Sequence, residues 1–327
     1  KNAAHTPTDE AEAKRWYNLY GWKKMKYWDH PMLSSQYVES SCAQCHSGVV
    51  DLPRADRLNR GVHLIRTLGC HGCHKISKPT LSNLRKVGPD LRKVSGKLDR
   101  DWILKWVRDP RGFRPTTKMP KIFDLPNVNS PEDISRNTAA VSAITTYLLK
   151  KSDSPEYDAP PLNGDVDRGA TLVGKVGCKG CHVVGKDDNV GREFGLRNFG
   201  PNLNDVGSKL SAGWLYAWLR NPTDYYPETR MPDLRLTSQE SADITAYLLT
   251  LRNTEFEERR PAEVDRTVRD EMVFEYLKGR LPVKSAQDKL AEMTDADRDL
   301  WLGEKIIGRQ GCYGCHLISG FEDATPI

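Results

Sequence analysis

At 327 residues the chain is long enough for two or three small domains. Its hydrophobic content, 38%, is low for that length, and no run approaches the roughly 18 consecutive apolar residues of a membrane-spanning helix. The formal net charge of +5, from 49 Lys and Arg against 44 Asp and Glu, is too slight to imply a nucleic-acid partner.

The chain begins at Lys1 rather than at an initiator Met, and an export segment, an anchor or further domains are expected ahead of it. Lys1 to Ser41 is dense in Trp and Tyr and leads into the first of four like pentapeptides, Cys42-Ala43-Gln44-Cys45-His46. The others are Cys70-His71-Gly72-Cys73-His74, Cys178-Lys179-Gly180-Cys181-His182 and Cys312-Tyr313-Gly314-Cys315-His316, and together they use all eight cysteines. Two thiols three apart can bond the two vinyl groups of one porphyrin, and the histidine that follows then lies beneath the iron as its proximal ligand. The spacing therefore predicts four haems c, with His46, His74, His182 and His316 as metal ligands. Zinc knuckles would want paired motifs closer together than Cys45 and Cys70, which enclose 24 residues. A redox dithiol or a set of disulfides would need no histidine after every second cysteine. Porphyrins in the core also account for the low apolar content, since each brings a large apolar surface of its own. Their propionates would offset the positive charge.

The second and third motifs head a duplication. Arg60-Gly61 leads to Gly69-Cys70 as Arg168-Gly169 leads to Gly177-Cys178. Downstream, Gly88-Pro89-Asp90-Leu91 overlies Gly200-Pro201-Asn202-Leu203 and Lys97-Leu98 overlies Lys209-Leu210. Trp102 and Trp106 overlie Trp214 and Trp218, and Met119-Pro120 overlies Met231-Pro232, each Met standing 31 positions after the first Gly. Helical periodicity closes both repeats, at Ala143 to Leu149 and Asp243 to Leu249, with a Pro- and Asn-rich loop insertion at Leu125 to Pro131 in the first. Thr254 to Asp299 is charged, with helical stretches at Val264 to Leu277 and Ala286 to Met293; it reads as a connector, or as a short hairpin against a partner. Leu302-Gly303 to Gly311-Cys312 repeats only the beginning of the pattern, because eleven residues follow His316. A third domain cut short is expected there, completed by chain beyond Ile327 or by another subunit, the former being favoured.

Each repeat resembles a class I cytochrome c domain over residues 58 to 152 and 160 to 253. That resemblance implies Met119 and Met231 as the sixth ligands of the second and third haems. It also implies Pro89 and Pro201 as carbonyl partners of the proximal imidazoles, and one Trp of each pair, from Trp102 and Trp106 and from Trp214 and Trp218, on a propionate. The first haem lacks such a half, and His5, His30, Met32 and His63 are the candidates for its sixth position; His71 is a bystander. The expected fold is mainly α: tandem small cytochrome c-like helical domains packed around covalently bound haems. Its parts are an irregular haem-binding segment (1–57), domains at 58–156 and 157–254, a connector (255–299) and the shortened third domain (300–327).

Six-coordinate His/Met haems leave no position for substrate, so the expected activity is single-electron transfer rather than catalysis. By resemblance the compartment is periplasmic or otherwise outside the cytoplasm. The donor would be a quinol-oxidising or dehydrogenase complex, and the acceptor a terminal reductase, an oxidase or another cytochrome. Membrane association would come through partners or an anchor outside this sequence. Lys23, Lys24, Lys26, Arg85, Lys86, Arg92, Lys93 and Lys97 offer a docking face for an acidic partner, or else a solvated one. The competing functions are a peroxidase-like or reductase enzyme, using the first or fourth haem with an open position, and a polymeric conductor.

Overall fold

The structure, a computed structural model, describes residues 10–20, 39, 42, 46, 51–70, 74, 76, 86–128, 130–158, 160, 163–185 and 200–324. Among these the fold is helical, with one isolated β-bridge between Leu98 and Leu210 and no strand. The chain resolves into two compact units. One comprises Lys1–Pro89, Gly314–His316 and Ala324–Ile327; the other comprises Asp90–Tyr313 and Leu317–Asp323.

The first unit holds α1 (Glu10–Tyr20) and α2 (Asp56–Leu68). The amides of Arg57 and Leu58 donate to the Glu39 carboxylate (2.7 and 3.2 Å), which places an anion at the positive end of α2. Gly69 ends the helix at a φ of 74°, and Gly177 and Gly311 take the same left-handed conformation (95° and 68°) before their own motifs. That conformation turns the chain out of a helix and into Cys-x-x-Cys-His, and it favours glycine. Of α2, only Val62 is buried.

The second unit contains two hydrophobic cores. The first is built by α3 (Arg100–Arg108), α4 (Pro110–Phe113), α5 (Pro131–Lys150) and α10 (Thr254–Glu258), with α11 (Arg266–Lys278), α12 (Val283–Glu292) and α13 (Asp295–Gln310). Capping boxes start α5 at Ser130 with Asp133 and α13 at Thr294 with Asp297. Pro131 occupies the first turn of α5, so part of the expected loop insertion is helix, and α5 runs 20 residues where its counterpart runs 13. Leu302, Ile306 and Ile307 of α13 are buried against α5, each contributing about 1.5–3 kcal/mol. The charged stretch expected to be a connector is part of this core, since Met272, Val273, Leu277 and Ala286 are buried in it. Its one buried cation, Arg269, is held by Asp295 (2.7 Å), Asp270 (2.8 Å) and Asp299 (3.3 Å), which ties α11 to α13.

The second core is built by α6 (Val166–Lys175), α7 (Ala212–Arg220), α8 (Pro222–Tyr225) and α9 (Ser238–Thr250), around Val173, Trp214, Leu215, Ile244 and Leu248. The repeats meet at the Leu98–Leu210 bridge. There the Ser211 amide donates to Lys97 O (3.0 Å), its hydroxyl to Gly96 O (2.7 Å), and the Tyr225 hydroxyl to Lys93 O (2.7 Å).

Candidate haem sites

The site following α6 is assembled within residues 165–253. Asp165 caps α6, and at Gly169 a Cβ would lie 2.8 Å from Tyr247 Cβ and on the Asp243 carbonyl, so the glycine lets α6 and α9 touch. One position earlier, the Arg168 guanidinium makes two bonds to the buried Asp243 carboxylate (2.8 and 2.9 Å). That pairing holds the Asp243 carboxyl well below the usual carboxylate range, outweighing burial, which acts in the opposite direction. After α6 the motif coils tightly, and the His182 amide donates to Cys178 O (2.9 Å). The same turn recurs at His46 on Cys42 (2.9 Å) and His74 on Cys70 (2.8 Å), so local geometry already brings first cysteine and histidine together.

His182 Nδ1 lies 2.7 Å from Pro201 O. A carbonyl only accepts, so Nδ1 carries the proton and Nε2 presents a lone pair, the tautomer a metal needs. Gly200 packs flat on that ring, where any Cβ would collide with it. Trp214 and Trp218 stack (5.2 Å, 18°), and the Trp218 indole N–H donates to the Met231 sulfur (2.9 Å). The Met231 amide is fixed on Thr229 Oγ1 (3.2 Å).

The same parts recur with a different donor of the histidine. The imidazole expected on Pro89 is that of His74; the one found there is His316, with Nδ1 2.8 Å from Pro89 O. Gly88 packs on the His316 ring as Gly200 does on His182, and its amide donates to Cys315 O (2.8 Å). Burial, with the nearby Lys86, pushes the His316 imidazole down from its ordinary value, against the pull of the Pro89 hydrogen bond. In the second unit, Gly303 of α13 lies under the Ala143 carbonyl with Tyr147 Cβ 2.8 Å from where its own Cβ would be, repeating the contact of Gly169. Cys312 packs on the first core, the Tyr147 hydroxyl donates to Ser319 O (2.9 Å), and the Leu91 amide to Leu317 O (2.9 Å). Trp102 stacks on Trp106 (5.1 Å, 16°), whose indole N–H donates to the Met119 sulfur (3.0 Å). The half expected to serve the second motif therefore packs against the helix that leads into the fourth. By contrast, no described atom lies within 4 Å of a Cβ at Gly61.

The donor sets fit haem c on the structure's own terms. Beyond these imidazoles and thioethers, the Trp102 and Trp214 indole N–H groups are buried without a hydrogen-bond partner among the described residues, which suits a carboxylate. Among the described residues no group of three or more His, Cys, Asp or Glu is arranged to hold a bare metal ion. Residues 166–252 match the family model for cytochrome c, and residues 34–158 match the model for the cytochrome c oxidase mono-haem subunit, FixO. The chain is a c-type cytochrome. No curated protein and no solved structure matches it. The matches imply covalently bound haem c and support electron transfer in a respiratory oxidase-type context, and none of the described helices is long and apolar enough to cross a membrane.

Several expectations fall outside the described residues: Cys45, Cys73, His5, His30, Met32, His71, Lys23, Lys24, Lys26 and Arg85. His63 is exposed on α2. Arg92 is exposed and paired with Asp90 (2.7 Å), as a surface cation should be. Lys97 does not belong to a docking face: it is half-buried, with Nζ 4.2 Å from the centroid of Trp214. Its counterpart Lys209, passed over in the sequence, lies 5.1 Å over Trp102. The signal was available, because Lys97-Leu98 and Lys209-Leu210 keep register in both repeats.

Proposed function

We propose that this cytochrome relays single electrons among four covalently attached haems, outside the cytoplasmic membrane, between a quinol-oxidising or dehydrogenase donor and an oxidase, reductase or further cytochrome. The observation that carries this reading is the set of a carbonyl-fixed imidazole and an indole-held thioether within residues 165–253, each part of which is also found singly elsewhere, at His316 on Pro89 and at Trp106 on Met119. Haem c supplies a one-electron ferric/ferrous couple. The residues do the rest: each cysteine pair tethers, His182 and His316 offer Nε2, and a neutral thioether from Met231 or Met119 favours the ferrous state and raises the potential. Trp218 and Trp106 orient those sulfurs, and Pro201 and Pro89 set ring orientation and basicity.

Met231 is assigned to the haem of Cys178 and Cys181, and Met119 to the haem that Cys312 tethers. Side-chain chemistry at the helix contact supports the second assignment. Arg168 meets Asp243, whereas the position equivalent to Asp243 is Ala143, which meets the α13 helix carrying Leu302 in place of Arg168. Arg60 in that place would find no carboxylate opposite it, whereas Arg168 pairs with Asp243.

Intact mass and a pyridine haemochrome assay should count four haems per chain, with the weak near-infrared band of methionine on ferric iron. Carbon monoxide or peroxide should leave the spectrum of the two His/Met haems unchanged. Colourless protein whose cysteines alkylate freely would overturn the reading.

A further inference from the structure

The two repeats exchange a lysine. Around the Leu98–Leu210 bridge, Lys97 extends from the first repeat to the Trp214 ring of the second (4.2 Å) and to Tyr225 (5.2 Å), while Lys209 extends from the second to the Trp102 ring of the first (5.1 Å). Neither ammonium has a carboxylate within ion-pair range among the described residues. The nearby charges oppose them: Lys209 faces Lys97, and Arg114 faces Lys209. Arg114, whose guanidinium donates to Asn204 O (3.1 Å), has the Asp205 carboxylate to offset its own burial. Burial pushes the Lys97 ammonium down to about 7 and that of Lys209 down to about 8. A cation–π contact returns only about 0.5–2 kcal/mol, too little to account for holding two half-buried ammonium groups and a half-buried guanidinium so close together.

Each lysine also lies against an indole whose N–H is buried without an acceptor among the described residues: Trp214 for Lys97, Trp102 for Lys209. A cation on the ring face and an unpartnered N–H on the same indole are donors suited to an anion, and the pairing occurs twice. Trp214 stacks on Trp218, which holds Met231, and Trp102 stacks on Trp106, which holds Met119, so both sites adjoin a haem pocket. We infer that Lys97 and Lys209 are crossed partners of the haem propionates, each supplying its ammonium to the haem bound by the other repeat, with the Trp214 and Trp102 indoles as second donors. Single-repeat folding would leave those carboxylates without their cation, so haem loading and the pairing of repeats support one another. The inference rests on the haem-binding reading above and extends it to the link between repeats.

The test is potentiometric titration of the full haem-loaded chain in a Met231→His background, where the bis-histidine haem at Cys178 titrates at lower potential than the Met119 haem. A cation near a haem disfavours the ferric charge, so its removal lowers that haem's potential. Lys97→Met should shift the low step downward and leave the Met119 step in place; Lys209→Met should do the converse. Lys97→Arg and Lys209→Arg should shift neither step. If a Met variant loses its haem, the Gln and Arg variants give the same comparison at similar shape: Gln shifts the crossed step and Arg does not. A shift confined to the repeat that owns the lysine, or no shift at all, overturns the crossing. Potentials that move when chloride is exchanged for phosphate would assign the sites to a free anion and overturn it too. Chain without attached haem would overturn both this inference and the proposed function, whereas attached haems with unshifted steps would overturn the crossing alone.

Discussion

Whether α13 or α2 packs on α5 can be decided by placing one methyl group at equivalent glycines. At Gly303 an alanine Cβ would fall on the Ala143 carbonyl and 2.8 Å from Tyr147 Cβ. Neither neighbour is the end of a flexible side chain, so the helices must separate, a strain of about 1–3 kcal/mol. Gly169→Ala meets the Asp243 carbonyl and Tyr247 Cβ in the same way and serves as the reference. At Gly61 the methyl group meets no described atom, and the change gains up to about 1 kcal/mol of helix propensity. That propensity gain is common to all three sites, so the difference between Gly303→Ala and Gly61→Ala isolates the steric cost, about 1–3 kcal/mol. Urea unfolding of the haem-loaded protein should show Gly303→Ala and Gly169→Ala less stable than Gly61→Ala by that margin. The reasoning fails if Gly61→Ala costs as much as Gly169→Ala while Gly303→Ala is tolerated, for α2 would then be the helix packed on α5.

Replacing Cys312 and Cys315 by alanine should remove the Met119 share of the near-infrared methionine band, and replacing Cys70 and Cys73 should spare it; spectra of the ferric variants check this. Met119→Ala and Met231→Ala should each abolish part of that band and lower one haem's potential, and together they should abolish it, as redox-titrated spectra would record. Arg168→Leu should destabilise the protein at neutral pH. The depressed carboxyl of Asp243 contributes stability above its unfolded pKa, about 3.9, and loses it as pH falls through the lower folded value. Acid titrations of wild type and Arg168→Leu, followed by circular dichroism, should therefore converge below about pH 4 and diverge above it.

Much of the local chemistry was legible in the chain itself. Four Cys-x-x-Cys-His runs point to haem attachment, because thiol spacing and a following imidazole are properties of five consecutive residues. The register of Trp102, Trp106 and Met119 with Trp214, Trp218 and Met231 was likewise legible, since all three lie within one repeat, but the indole N–H of Trp106 and Trp218 on the methionine sulfur, where a propionate or core packing was expected, came from the structure. The closing helices and the helical pieces between residues 264 and 293 followed from apolar periodicity. Pro131 read as loop because proline usually ends helices, yet behind the Ser130 capping box it begins one.

Long-range choice was the tertiary structure's to make. Gly61 and Gly303 carry the same local signal, and it is the surroundings of Ala143, apolar where Asp243 is charged, that receive the helix bearing Leu302. Lys97 has the composition of a surface residue, and its burial arises from Trp214, more than a hundred positions away. Spacing along a chain encodes what neighbouring residues can bond. Which distant surfaces exclude water from one another is settled by complementary shape and charge, and these exist only once the helices have packed.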